Sequence, residues 1–232
     1  MRKSKELKDR ASASLAWGPA VIALAAVLFG GCEKELWHPK EADRRLIEVH
    51  GDNMTLHTGS VGVGKFKREA TYLLVDASNP SEKDLAVTLG GSFLDAKGKA
   101  LGPLKRYSLR IPAKGTRTFA LIDEARNPVP EAANATIEVT SAVELDYPEQ
   151  FTITDVHRYP DGDRIVIAGY VQNTVARIGK AVVFATFYDA KGRPMKRPST
   201  VFHMERKARR GVQFVGPSGS VKATLSIGAI VY

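Results

Sequence analysis

The chain contains one unit twice, and that duplication constrains its fold more than any other feature. Asn79 and Asn173 each stand sixteen residues before the aspartate of an identical tetrapeptide, Asp95-Ala96-Lys97-Gly98 and Asp189-Ala190-Lys191-Gly192. An apolar stretch precedes each tetrapeptide, residues 85–94 and 181–188. The closing segments also match, Ala135-Thr136-Ile137-Glu138-Val139 and Ala223-Thr224-Leu225-Ser226-Ile227. Similar blocks in one order mark a repeated structural unit. Within each unit the apolar period is two. Residues 70–76, 85–94, 106–111, 116–122 and 135–145 read as strands in the first copy, and 163–173, 181–188 and 221–231 in the second. Gly, Pro, Asn and Asp clusters bound these runs, and short strands at that spacing point to antiparallel sandwiches. Asp-Ala-Lys-Gly is turn chemistry: the aspartate bonds its own backbone and the glycine supplies positive φ. The expected fold is all-β, with one β-sandwich unit over 45–147, a boundary at Tyr147-Pro148-Glu149, and a second unit over 148–232. Units of this size can bury a core without disulfides.

The first forty residues have another character. Arg2, Lys3, Lys5, Lys8 and Arg10 precede an uncharged apolar run from Leu15 to Phe29, which ends Leu28-Phe29-Gly30-Gly31-Cys32. A basic segment, a short apolar run and small residues before a cleavage site make a secretory signal. Gly18 and Pro19 interrupt the run, which is too short for a transmembrane helix of about 20 residues. A cysteine after Gly-Gly at this point resembles a bacterial lipobox, although Phe29 stands where leucine is usual. The resemblance implies a signal peptide over 1–31, cleavage before Cys32, diacylglyceryl transfer to its sulfur, and N-acylation. Cys32 is the only cysteine, which excludes an internal disulfide and any CxxC site. Residue 33 is glutamate rather than the aspartate that retains Gram-negative lipoproteins in the inner membrane, so the resemblance implies the outer membrane, in its periplasmic leaflet or on the cell surface. Residues 32–44 read as the lipidated cysteine and a charged tether.

The second unit carries a further likeness. Asn173, then Phe187-Tyr188-Asp189 and Gly192, resembles the FxLYD-type immunoglobulin-like domain of bacterial envelope lipoproteins, and is similar to the small YcfL-like outer-membrane lipoproteins. The first unit, with Phe93-Leu94-Asp95, lacks the tyrosine, and Gly91 and Ala185 replace the motif's leading phenylalanine. The resemblance implies tandem immunoglobulin-like sandwiches in the envelope and brings no catalytic residues.

Charge is divided unevenly. Residues 33–150 hold 16 basic and 18 acidic residues, whereas residues 151–232 hold 13 and 5. The densest basic segment contains Lys191, Arg193, Lys196, Arg197, Arg206, Lys207, Arg209 and Arg210. If the loops that carry them share one end of a sandwich, their field attracts polyanions. The partners that fit are a protein or an anionic envelope component. No aromatic stacking platform interleaves the bases, so nucleic acid is not expected.

Motifs that suggest catalysis fail on context. Gly59 to Lys65 fits GxxxxGK, but Phe66 stands where a P-loop needs Ser or Thr, and a glycine-rich hairpin is the better reading. His50 and His57 would face each other if Gly51-Asp52-Asn53 were a hairpin, yet they lack a third ligand, and no metal site is expected. Asp161-Gly162-Asp163 is too short for a calcium loop and reads as a turn. The expectation is a non-enzymatic, membrane-anchored envelope lipoprotein without a cofactor, acting as a binding or assembly module. The alternative is a carrier or sensor of a small apolar or anionic ligand held in or between the sandwiches, which needs a cavity of several hundred cubic ångströms.

Overall fold

A computed structural model describes residues 40–62, 65 and 67–228. The signal segment, Cys32 and the tether up to residue 39 lie outside the described residues. Apart from a 3-10 turn at Arg44–Leu46, the regular elements are strands: β1 (Glu48–Val61), β2 (Arg68–Asn79), β3 (Leu85–Leu94), β4 (Ala100–Ile111), β5 (Gly115–Ile122), β6 (Asn134–Glu144), β7 (Phe151–Asp161), β8 (Arg164–Asn173), β9 (Gly179–Tyr188), β10 (Ser199–Met204), β11 (Arg209–Val215) and β12 (Lys222–Gly228). The fold is all-β. No helix among the described residues is long and apolar enough to cross a membrane.

Three sheets form. Six strands run in the order β1-β2-β5-β12-β9-β10, and two smaller sheets run β4-β3-β6 and β11-β8-β7. Pairing is antiparallel except where β5 meets β12, in parallel, at Thr118 and Gly228. The central sheet therefore takes three strands from each repeat, and the described residues belong to one compact unit. The 147/148 boundary falls between β6 and β7.

Each smaller sheet covers the central-sheet strands of its own repeat. In the first, Leu73, Val75 and Ala77 of β2 and Phe119 and Leu121 of β5 pack with Val87, Leu89 and Phe93 of β3, Ile111 of β4 and Ala142 of β6. In the second, Ala181, Val183, Ala185 and Phe187 of β9 pack with Ile167 and Val171 of β8, Met204 of β10, Val212 of β11 and Ala223 of β12. Because alternate residues face opposite sides of a strand, Leu74 and Ala120 point away from the first core, and Val182 and Phe184 away from the second. These four pack on one another instead. Thus β2 and β9 are buried on both faces, which explains their nearly unbroken apolar sequences, Tyr72-Leu73-Leu74-Val75 and Ala181-Val182-Val183-Phe184.

The repeat persists in its hydrogen bonds. Asn79 and Asn173 are both buried at the ends of equivalent strands. The Asn79 amide donates to the carbonyl of Lys83, four residues on, at 2.7 Å and to those of Ile111 and Pro112, while its oxygen accepts from Ser81 N–H. The Asn173 amide donates to the carbonyls of Arg177, again four residues on, and Glu205, while its oxygen accepts from Val175 N–H. Both tetrapeptides are turns: the first oxygen of Asp95 accepts from the N–H groups of Lys97 and Lys99, and that of Asp189 from Lys191 and Arg193. Gly98 and Gly192 close them at φ +81° and +76°.

Some local expectations change. The Gly51-Asp52-Asn53 segment is no hairpin. It lies inside β1, whose pairing with β2 shifts register between His50 and Thr55, so His50 and His57 stand on one strand and do not face each other. β1 instead pairs with β2 along its length, out to Val61 opposite Arg68; part of the glycine-rich segment between them lies outside the described residues. Gly162, at φ +63°, sits in the turn from β7 to β8.

Candidate functional site

The basic segment does not gather at one tip. β10 returns antiparallel along β9, with Met204 opposite Gly179 and Ser199 opposite Phe184. The loop with Lys191, Arg193 and Lys196 therefore leaves the Tyr188 end, and the turn with Arg206 and Lys207 lies at the Gly179 end. Nine residue steps of β9, at about 3.3 Å each, set these ends about 30 Å apart. β11 starts at the Gly179 end, where Arg209 and Arg210 pair with Gln172 and Val171 of β8.

Several of these cations already have partners. Arg193 pairs with Asp189 at 2.7 Å, and that carboxyl is held below its usual range by the N–H and side chain of Arg193. Arg209 lies 3.6 Å over the ring of Tyr170 and pairs with Asp155. Lys207, at φ +55°, donates to the carbonyl of Thr174 and so ties the turn to the loop over 174–178. Lys191, Lys196, Arg206 and Arg210 are exposed. Arg197 is not a surface residue: its side chain is 1% exposed and forms an ion pair with Asp76 of the other repeat.

That pair centres a polar seam between the repeats. Thr118 Oγ1 donates to Asp76 Oδ1 at 2.7 Å and contacts Ser226 Oγ at 2.7 Å. A hydroxyl carries one proton, so Ser226 must donate to Thr118. The chain runs β12 to β5 to β2, with Arg197 closing it from the segment before β10. Arg197 Nε and Nη1 are buried without an acceptor among the described residues. Its charge also reaches β1. His57 stacks on Tyr72 with ring centroids 5.2 Å apart, and burial first, then Arg197, pushes its pKa down.

Beside the seam lies a cavity of about 390 Å3. The first repeat contributes His50, Asn53, Asp76 and Thr116, and the second Arg158, Thr186, Tyr188, Thr224 and Ser226 to its lining. His50 Nε2 is 2.7 Å from Ser78 Oγ, and Arg158 Nε donates to the carbonyl of Ala223 at 2.6 Å. Hydroxyls, one imidazole and one guanidinium supply the polar groups of the wall, Val156 and Leu225 add apolar surface, and Asp76 is paired with Arg197. Such a surface can hold a small hydroxylated or anionic molecule. Phe184 and Phe187 are core residues, whereas Tyr188 is a half-buried wall of this cavity.

A third feature sits at the Gly179 end. Tyr147, Pro148, Val175, Ala176 and Arg177 line an open groove of about 500 Å3, and Ile178 beside it is 61% exposed. Charge density had marked the basic loops in the sequence. The seam had no local signal, because Asp76 and Arg197 are 121 residues apart. No group of three or more His, Cys, Asp or Glu residues among the described residues is arranged to hold a metal ion.

No protein-family model and no curated protein matches the chain.

Proposed function

We propose that this chain is an outer-membrane lipoprotein of a Gram-negative envelope, anchored through acylated Cys32, that presents its two immunoglobulin-like β-sandwich units as a rigid, non-enzymatic binding or assembly module. The observation that carries the reading is Leu28-Phe29-Gly30-Gly31-Cys32 at the end of a basic-then-apolar segment, eight residues before the first described residue. Three acyl chains hold firmly where one is marginal, since each buried CH2 contributes about 0.8 kcal/mol. The body behind the anchor suits display, because a shared sheet and a buried ion pair fix one repeat against the other.

The partner surface in this reading is the loop with Lys191, Arg193 and Lys196, which fits a protein or an anionic envelope component. The test is a photocrosslinker at Lys196 in living cells, with adducts identified by mass. One discrete adduct, lost when Lys191 and Arg193 are reversed to glutamate, supports the module. Identical adducts after reversal reject this loop as the contact.

A second reading is favoured by the cavity beside the seam: carriage or sensing of a small hydroxylated or anionic ligand. A cavity of about 390 Å3 meets the size such a site needs. Native mass spectrometry of the protein from its own envelope, before and after Arg158→Glu, tests it. A bound small molecule lost in the variant supports carriage; an empty protein in both counts against it.

A further inference from the structure

We propose that the Gly179 end of the second repeat is a membrane-contacting surface, which lays the loop over 174–178 and the adjoining Tyr147 against the anionic bilayer that holds the anchor. The proposal rests on the lipid-anchor reading above and adds an orientation and a second contact to it.

Where the chain arrives is the first argument. Lys40 accepts a hydrogen bond from Glu144 N–H and its amine contacts the Glu144 carboxylate at 2.8 Å, so the tether meets the body at the end of β6. Tyr147 follows three residues later, with its ring 5.1 Å beneath Arg110 and its carbonyl accepting from the same guanidinium. Eight residue steps lead from Cys32 to Lys40, a reach of at most about 29 Å when fully extended. The anchor therefore cannot carry this end far from the bilayer. The Asp95–Gly98 and Asp189–Gly192 turns sit at the opposite ends of β3 and β9.

The second argument is composition. Ile178 is 61% and Tyr147 51% exposed, and Val175, Ala176 and Pro148 continue the apolar surface between them. Arg177, Lys180, Arg206 and Lys207 are exposed around it, against the exposed carboxylates Asp146 and Glu205. An apolar tip ringed by cations is the chemistry of an interfacial contact: short side chains enter the acyl boundary while long basic ones keep their heads among lipid phosphates. A protein partner would be served as well by the apolar tip, but it would not explain why the tip lies beside the arriving tether.

Third, the tip is held firmly. Asn173 binds the carbonyl of Arg177, Arg177 Nε donates to Gln150 Oε1 at 3.0 Å, and Lys207 binds Thr174. A loop fixed from three sides loses little freedom on docking.

The experiment uses the mature lipoprotein in vesicles of phosphatidylethanolamine and phosphatidylglycerol, with bimane on Ala176→Cys or on Lys191→Cys and a nitroxide quencher on the lipid acyl chains. Strong quenching at position 176 and little at 191 is the expected result. Adding Arg177→Glu should lower the quenched fraction about tenfold, because a surface cation is replaced by an anion; Ile178→Asp should lower it further. Equal quenching at both positions, or no response to either substitution, overturns the proposal. Intact mass of the same preparation reports acylation of Cys32 separately. Unacylated protein with position 176 still quenched defeats the anchor reading alone, and acylated protein without quenching defeats the contact alone.

Discussion

Replacing Arg197 by methionine isolates the ionic part of the contact between the repeats. The substitution keeps much of the apolar stem and removes a charge that is 1% exposed, which leaves the Asp76 carboxylate, 10% exposed, with the Thr118 hydroxyl as its one side-chain partner among the described residues. Breaking a buried pair from one side costs about 3–5 kcal/mol, because the remaining charge is stranded. Two features lower that figure. Thr118 still donates to Asp76, and the variant removes Nε and Nη1, which are buried without acceptors; an unmet buried donor costs about 1–3 kcal/mol. A loss of about 2–4 kcal/mol follows for Arg197→Met. With a urea slope of about 2 kcal/mol/M, the midpoint falls by about 1–2 M. Replacing both partners, Asp76→Leu with Arg197→Met, strands no charge and leaves only the Thr118 hydroxyl without its acceptor, so it should recover most of the loss. Urea unfolding followed by tyrosine fluorescence and circular dichroism reads the parent, both single variants and the double variant. If Arg197→Met is as stable as the parent, or if the double variant loses the sum of the single losses, the argument from a stranded charge is wrong.

Three further outcomes are expected. His57 has its pKa pushed below the ordinary 6.5 by burial and then by Arg197, so the folded chain favours its neutral form and its contribution is full above pH 6.5. Stability should fall as pH drops below that value through the lowered one, and His57→Gln should flatten this part of the curve; an unchanged slope excludes His57 as its source. Asn79→Ala and Asn173→Ala each remove a buried amide that ties carbonyls of two loops together, and thermal unfolding should show similar losses of about 2–4 kcal/mol, since each hydrogen bond lost with its partner left unmet costs about 1–3 kcal/mol. A large effect at one site and none at the other would break the equivalence of the repeats. A Cβ on Gly228 would stand 2.5 Å from the Thr118 carbonyl and 2.6 Å from the Phe184 ring, so Gly228→Val should open the join between β5 and β12. Hydrogen exchange should then rise at residues 115–122 and 222–228 ahead of the rest; unchanged protection there rules out a tight join.

The repeat was legible because its marks are local. Turn aspartates, a positive-φ glycine and a buried asparagine are short-range devices, and both copies make the same bonds. β2, β3, β5, β6, β8 and β9 were likewise visible as β-branched or apolar runs. β1 and β7 were not, because most of their residues remain accessible and neither alternates cleanly. Gly51-Asp52-Asn53 has the composition of a turn, yet it is an irregularity inside β1 where the register with β2 shifts. Asp155, at φ +51°, and Pro160 similarly disguise β7. The six-stranded sheet had no sequence signal at all. Among the described residues β5 and β12 join in parallel at Thr118 and Gly228, and pairing over that separation leaves no periodicity. The basic segment shows the same limit. Charge counting found it, but only the return path of β10 divides it between two ends, and only Asp76 explains why Arg197 is withdrawn from the surface.

Lipid attachment at Cys32 is the most direct point at which to test the account. The measurement is the intact mass and N-terminal sequence of the protein extracted from membranes. A chain that begins at Cys32 and carries diacylglyceryl and a third acyl chain is the expected product. A chain that begins at Met1, or one with a free thiol at Cys32, would contradict the anchor and the display function built on it.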